Sequence, residues 1–266
     1  MARAYLRFAA LGDSTTVGIG DPVRDPDGRE RCRGWARLLA EGLAAHHDLS
    51  FCNLAISGST VADVRDRQLA DAVAHAPDLA SLIVGVNDVM RSTWHPDRFA
   101  RDLLEVADAV AATGALLVTL RFHDHGRVFG LPPAVRRPLD NRIAAVNAAY
   151  DEVVRRHGGV RVDLAEQPGV YERAAWSVDR LHPSEIGHRM LARAVAQGLR
   201  EHGVAVAPPS LEPSGGIEPT WRRNAAWVLT EGAPWMGRRA RDLGPWAVRA
   251  AWGRPVEEER AVASAP

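Results

Sequence analysis

A three-layer α/β/α sandwich around a five-stranded parallel sheet is the fold that this sequence predicts, on three observations. Short apolar runs bounded by Gly, Pro or Asp recur along the chain. Longer segments of helical periodicity alternate with them, which is the pattern of βα units on a parallel sheet. At 266 residues and 46% hydrophobic, the chain can bury a full core, which fits one domain of about 200 residues with an appendage.

The elements follow in order. The run from Tyr5 to Leu11 reads as the first strand, and residues 34–46 carry the first long helical pattern. Strand 49–54 and helix 61–75 come next, then strand 79–86 and helix 97–112, which Pro96-Asp97 starts and Gly114 stops. Strand 115–121, helix 138–157 and strand 160–163 lead to a last helix, 184–202, opened by Pro183-Ser184. Residues 1–204 therefore form the expected domain. Past it, Pro208-Pro209-Ser210 and Pro213-Ser214-Gly215-Gly216 mark 205–217 as a linker. Residues 218–254 hold Trp221, Trp227, Trp235, Trp246 and Trp252 with seven arginines and a net charge of +4. They read as a helical extension of two amphipathic helices, 219–231 and 234–252, followed by a disordered tail, 255–266.

Composition narrows the function classes. Arginine supplies every one of the 33 Lys+Arg cations, which points to the codon bias of a GC-rich, bacterial genome. They balance 33 acidic residues, without the basic excess a nucleic-acid partner calls for. Two cysteines, Cys32 and Cys52, are too few for a disulfide framework and read as free thiols. The N-terminus passes directly into a strand with no run of signal-peptide length, so the expected compartment is the cytoplasm. No stretch is long and apolar enough for a membrane span.

The chemistry lies in residues far apart in sequence. Gly12-Asp13-Ser14-Thr15-Thr16 follows the first strand, and Asp179-Arg180-Leu181-His182-Pro183 places an acid and an imidazole three residues apart. A serine hydroxyl is a poor nucleophile near neutral pH, so covalent catalysis needs a base for its proton and a third group to orient the base. Acyl transfer also needs donors for the developing oxyanion. Ser57-Gly58-Ser59-Thr60, after the second strand, offers a turn N–H, and Gly85-Val86-Asn87-Asp88, after the third, offers a side-chain amide. Ligands of open parallel sheets bind outside the carboxyl ends of the strands. All four segments fall there.

GDS, SG, G-x-N-D and D-x-x-H-P in this order, over roughly residues 5–202, resemble the four blocks of the SGNH (GDSL-type) hydrolases, serine esterases and lipase-like enzymes on a flavodoxin-like fold. The resemblance implies Ser14 as nucleophile, Asp179 and His182 as the rest of the triad, and the Ser14 backbone N–H, Gly58 and Asn87 as oxyanion donors. It implies a small-molecule ester substrate and no cofactor or metal. Thr15 stands where that family usually has Leu, a position outside the chemistry. Acyl transfer to another acceptor through the same acyl-enzyme is the alternative. A phosphate-binding module with hydroxyl-rich loops at helix N-termini is another, but it leaves Asp179 and His182 unexplained.

Asp13 is expected to support the serine turn, and Asp13, Thr15, Arg24 and His123 to contact substrate; Arg29 shares the polar loop 21–30 with Arg24, and Arg31 directly follows it. His123-Asp124-His125 looks like a metal cluster, but no further Cys, His or Asp set completes it. His188, inside the last helix, reads as a surface or packing residue. The tryptophan and arginine pattern of 218–254 admits self-association, docking on the domain, a lid, or peripheral membrane contact.

Overall fold

Apolar β-formers flanked by breakers fold as the sequence predicts, and the computed structural model describes them over residues 3–217 and Thr220. Tyr5–Gly12 is β1, Ser14–Val17 is a one-turn α1, and Pro22–Arg24 and Glu30–Cys32 are β2 and β3. Gly34–Ala44 (α2), Asp48–Asn53 (β4), Val61–Arg67 (α3), Leu69–His75 (α4) and Leu79–Ile83 (β5) follow. Val86–Val89 (α5), Pro96–Ala111 (α6), Leu116–Arg121 (β6), His125–Phe129 (α7), Pro133–His157 (α8), Val160–Asp163 (β7) and Glu185–Glu201 (α9) complete the described part. The extension 218–254 and the tail 255–266 lie outside the described residues.

Five strands form one parallel sheet in the order β4-β1-β5-β6-β7. Helices cover both faces: α2 packs with α9, and α6 packs with α3, α4 and α8. In α6 the buried positions Phe99, Leu103, Val106, Ala107 and Val110 recur at helical spacing, so one stripe meets the core. The central strands are buried on both sides, as Phe8, Ala9, Ala10, Leu11 and the whole of β5 show.

Several boundaries differ from the sequence reading, each for a local reason. The third strand stops at Ile83 because Gly85, at φ 139°, turns the chain into α5. The helix read over 61–75 is two, α3 and α4, joined at the buried Gln68. The helix read from residue 138 begins at Pro133: Pro132-Pro133 make its first turn, and Pro138 sits inside it. The polar loop 21–30 is a hairpin of β2 and β3. The residues read as a linker are bonded to the domain: Ala207 N donates to Gly42 O, Ile217 N to Pro22 O, and Arg33 and Arg189 both donate to Ser214 O.

Three side chains, Gln68 from the α3–α4 joint and Asn147 and Tyr150 from α8, close strand ends where the sheet parts. Gln68 accepts from Gly12 N at 2.9 Å and donates to Gly12 O at 2.9 Å. The Tyr150 hydroxyl accepts from Val84 N and donates to Val84 O. The Asn147 amide does the same for Phe122 N and O. A buried backbone group left without a partner costs about 1–3 kcal/mol. Gln68 is fully buried, and Gly12 O also accepts from Ile56 N at 3.3 Å, so Gln68→Met should orphan Gly12 N and lower unfolding stability by about 1–3 kcal/mol in urea titration at unchanged m. A loss under about 0.5 kcal/mol would show that Gly12 finds other partners.

Candidate active site

The serine turn is set by packing constraints before any chemistry. Gly12 ends β1 at φ 153°, and a Cβ there would lie 2.3 Å from Ile83 O and 2.8 Å from Thr16 Oγ1. Only glycine fits. Asp13 caps α1, accepting from Thr15 N at 3.0 Å. Ser14 is the first residue of α1, so its N–H is among those the helix leaves without an internal acceptor.

The acid and base come from one tight loop. Ser177 N donates to His182 O, Ser184 N to Ala175 O, and Trp176 bridges Pro183, so residues 175–184 form a closed hairpin. Arg180 takes φ 57° at its tip, a conformation uncommon outside glycine. That turn lets Asp179 Oδ1 accept from Leu181 N and His182 N and from Ser177 Oγ, while Oδ2 lies 2.6 Å from His182 Nδ1. His182 Nε2 is 2.9 Å from Ser14 Oγ. Burial pushes the Asp179 carboxyl up, but the His182 bond and charge with the Ser177 and backbone donors outweigh it and hold the pKa at about 2.

Asn87 enters from α5. Its Nδ2 donates to Ser59 O at 3.2 Å and to Asp13 Oδ2 at 3.3 Å, which links three of the four sequence blocks. Ser59 N donates to Ile56 O across a turn whose third residue, Gly58, has φ 81°, the type II pattern that asks for glycine. The carboxyl of Asp88, next to Asn87, accepts from Val61 N, the first N–H of α3. Burial drives Asp88 up to about 7, against the Val61 bond and with the Asp13 charge adding to the rise; burial likewise raises Asp13 to about 6.

These groups open onto a pocket at the carboxyl edge of the sheet. Asp13, Ser14, Thr15, Asn87, His123 and His182 line it, beside apolar side chains from the ends of β6 and β7 and from α9. Arg24 is not brought to it: its guanidinium pairs with Glu30 and Gly28 O in the hairpin, and Arg31 pairs with Asp25. His188 is fully buried, accepting from Trp35 N and bonded to Ile19 O, so it ties α9 to the segments around α1 as a packing residue, not a surface one; burial lowers its pKa to about 4. Among the described residues no group of three or more His, Cys, Asp or Glu is placed to hold a metal ion, and no helix is long and apolar enough to cross a membrane. Cys32 is exposed and Cys52 half-buried, both free. Asp13 and Thr60 already cap the α1 and α3 N-termini that a phosphate would need, which removes the phosphate-binding reading.

Residues 10–190 match the family described as GDSL-like lipase/acylhydrolase. The chain belongs to this family. It is 31% identical over 211 residues to an acetylxylan esterase of Geobacillus stearothermophilus, covering 70% of this chain and 92% of that one. It is 25% identical over 205 residues to an arylesterase of Vibrio mimicus, covering 76% and 92%. Among solved structures, an acetyl xylan esterase of Geobacillus stearothermophilus superposes with a TM-score of 0.59 at 22% identity, over 78% of this chain and 99% of that one. A lipase/acylhydrolase of Enterococcus faecalis gives 0.58 at 20% identity, over 77% and 99%. This GDSL-type hydrolase is a carboxylic ester hydrolase with the three-layer fold of its family.

Sequence reasoning missed Ser177, Gln68, Asn147 and Tyr150. Ser177 stands two residues before Asp179, a spacing with a weak signal for a carboxylate donor. The other three act on backbone groups, and nothing in the sequence marks such partners.

Asp88 gives a pH test. An acid whose folded pKa lies above its unfolded value binds its proton more tightly when folded, so its stabilisation is present below 3.8 and lost as pH rises through about 7. Asp88→Asn should therefore be more stable than the parent at pH 8, by about 1–2 kcal/mol, with the gap closing toward pH 4. Urea titrations across that range would check it, and a gap independent of pH would mean that Asp88 ionises in the folded state at no cost.

Proposed function

We propose that this enzyme cleaves its ester through an acyl-enzyme on Ser14. The supporting observation is the position of the His182 ring, with Nε2 2.9 Å from Ser14 Oγ and Nδ1 2.6 Å from Asp179. His182 Nε2 takes the hydroxyl proton as Oγ attacks the ester carbonyl, and Asp179 stabilises the imidazolium that forms. The tetrahedral oxyanion is met by the Ser14 N–H, the Gly58 N–H and Asn87 Nδ2. The 3.3 Å bond from Asn87 Nδ2 to Asp13 is longer than the 3.2 Å bond to Ser59 O, and it is the one an oxyanion can share. His182 then protonates the departing alcohol, and a water deprotonated by the same nitrogen releases the acid.

The substrate is a small-molecule ester with one apolar limb. The similar acetylxylan esterase and arylesterase differ in the alcohols their names imply, so the lining of this pocket is the better guide. It is mostly aliphatic and aromatic, and its polar members are Ser14, His182, Asn87, Asp13, Thr15, Gln167 and two further histidines. The enzyme is expected in the cytoplasm.

Ser14→Ala and His182→Ala should each lower kcat on p-nitrophenyl butyrate by about 10⁴ or more, since triad members act as a unit. Ser14→Ala should also abolish labelling by a fluorophosphonate. Retention of a tenth of the turnover in Ser14→Ala would exclude this mechanism. Asn87→Ala should cost about 10²–10³ in kcat with a smaller change in KM, and an unchanged kcat would remove Asn87 from the oxyanion site.

A further inference from the structure

Among the described residues, His123 is a buried polar side chain of the pocket wall to which the mechanism gives no work and the fold no hydrogen-bond partner. It is 2% exposed, and neither ring nitrogen has a hydrogen-bond partner among the described residues. Its position is fixed by other means. The ring stacks on His125 with centroids 4.1 Å apart and planes at 19°, and sits 4.8 Å from the Trp176 ring. His125 differs in that its Nδ1 is 3.0 Å from His123 O. Burial, with His125 beside it, holds the His123 imidazole neutral, so it presents one donor and one acceptor.

An unpaired buried polar group is expensive, and a fold that only needed a ring here would keep a Phe. The surrounding wall is apolar: Leu120, Phe122, Leu164, Val170, Trp176 and Met190 line the same pocket. A charged or sugar-like limb would find too few partners among them. A purely aliphatic limb would leave the His123 nitrogens unpaired, and sites built around such a group discriminate strongly against ligands that lack its partner.

We propose that the pocket takes an uncharged aliphatic limb of the ester that carries a single hydrogen-bonding oxygen, of ether, keto or hydroxyl type, and that His123 reads that oxygen. The proposal rests on the Ser14 hydrolase reading and adds to it the class of substrate. The limb belongs to either the acyl or the alcohol half, and the two are separated by experiment.

Two series test it: p-nitrophenyl hexanoate against analogues in which an oxygen replaces one methylene at successive positions, and hexyl acetate against the same replacements in its alcohol chain. Each kcat/KM is divided by the ester's alkaline hydrolysis rate. At least one oxygen-bearing ester should be preferred tenfold or more over its parent, in one series, and His123→Phe should bring that preference to about one while raising or preserving Tm. His123→Gln, which keeps a donor and an acceptor, should restore part of it. Ser14-dependent turnover with no such preference in either series would overturn the proposal and leave the hydrolase reading intact, and so would a preference that His123→Phe retains. Absence of Ser14-dependent turnover of every ester would overturn both. If His123→Phe does not fold, the parent enzyme's preference alone decides.

Discussion

The active site depends on how a parallel sheet lets go of its strands. Backbone N–H and C=O groups must stay paired wherever they are buried, yet β1, β5 and β6 have to release their chains at the carboxyl edge to carry Ser14, Asn87 and His123. Gln68, Tyr150 and Asn147 resolve the conflict by bonding both backbone groups of Gly12, Val84 and Phe122. Each bond pair substitutes for a missing neighbour strand. The pocket opens beside these paired strand ends.

Rigidity at the site follows from the same economy. The Asp179 and His182 hairpin is closed by Ser177 and Ser184 bonds, and its outer face leaves no room: a Cβ at Gly20 would fall 1.9 Å from Pro183 O, and one at Gly187 2.1 Å from Ala175 O. Asn87 ties the serine turn to the Gly58 turn through Asp13 and Ser59 O, and Asp88 ties the next residue to the start of α3. Ser14, His182 and Asn87 are therefore fixed relative to one another in the free protein, the arrangement that leaves little ordering for a reaction step to supply.

Much of this was legible because it is local. Strand and helix order followed from periodicity, and the rim position of Ser14, Asn87, Asp179 and His182 followed from their places after strand ends. The break at Gln68 was not, since the 61–75 pattern is helical throughout and the interruption comes from a side chain reaching Gly12, 56 residues away in sequence. Arg24 failed as a pocket residue for a similar reason: its loop folds into a hairpin that satisfies its own charges, Arg24 with Glu30 and Arg31 with Asp25. The packing role of His188 needed the partners Trp35 and Ile19, which no spacing announces.

Three carboxylates surround the site, and environment assigns their roles. Asp13 and Asp88 are pushed up by burial, to about 6 and about 7, and each faces backbone donors and the Asn87 amide or a helix start. Asp179 alone gathers the imidazole, a hydroxyl and two backbone N–H groups on its oxygens, and these hold it at about 2. A carboxylate that stays ionised keeps His182 in the tautomer whose Nε2 can accept a proton. The hairpin turn at Arg180 singles out Asp179 among the three, because it is the turn that aims four donors at its oxygens.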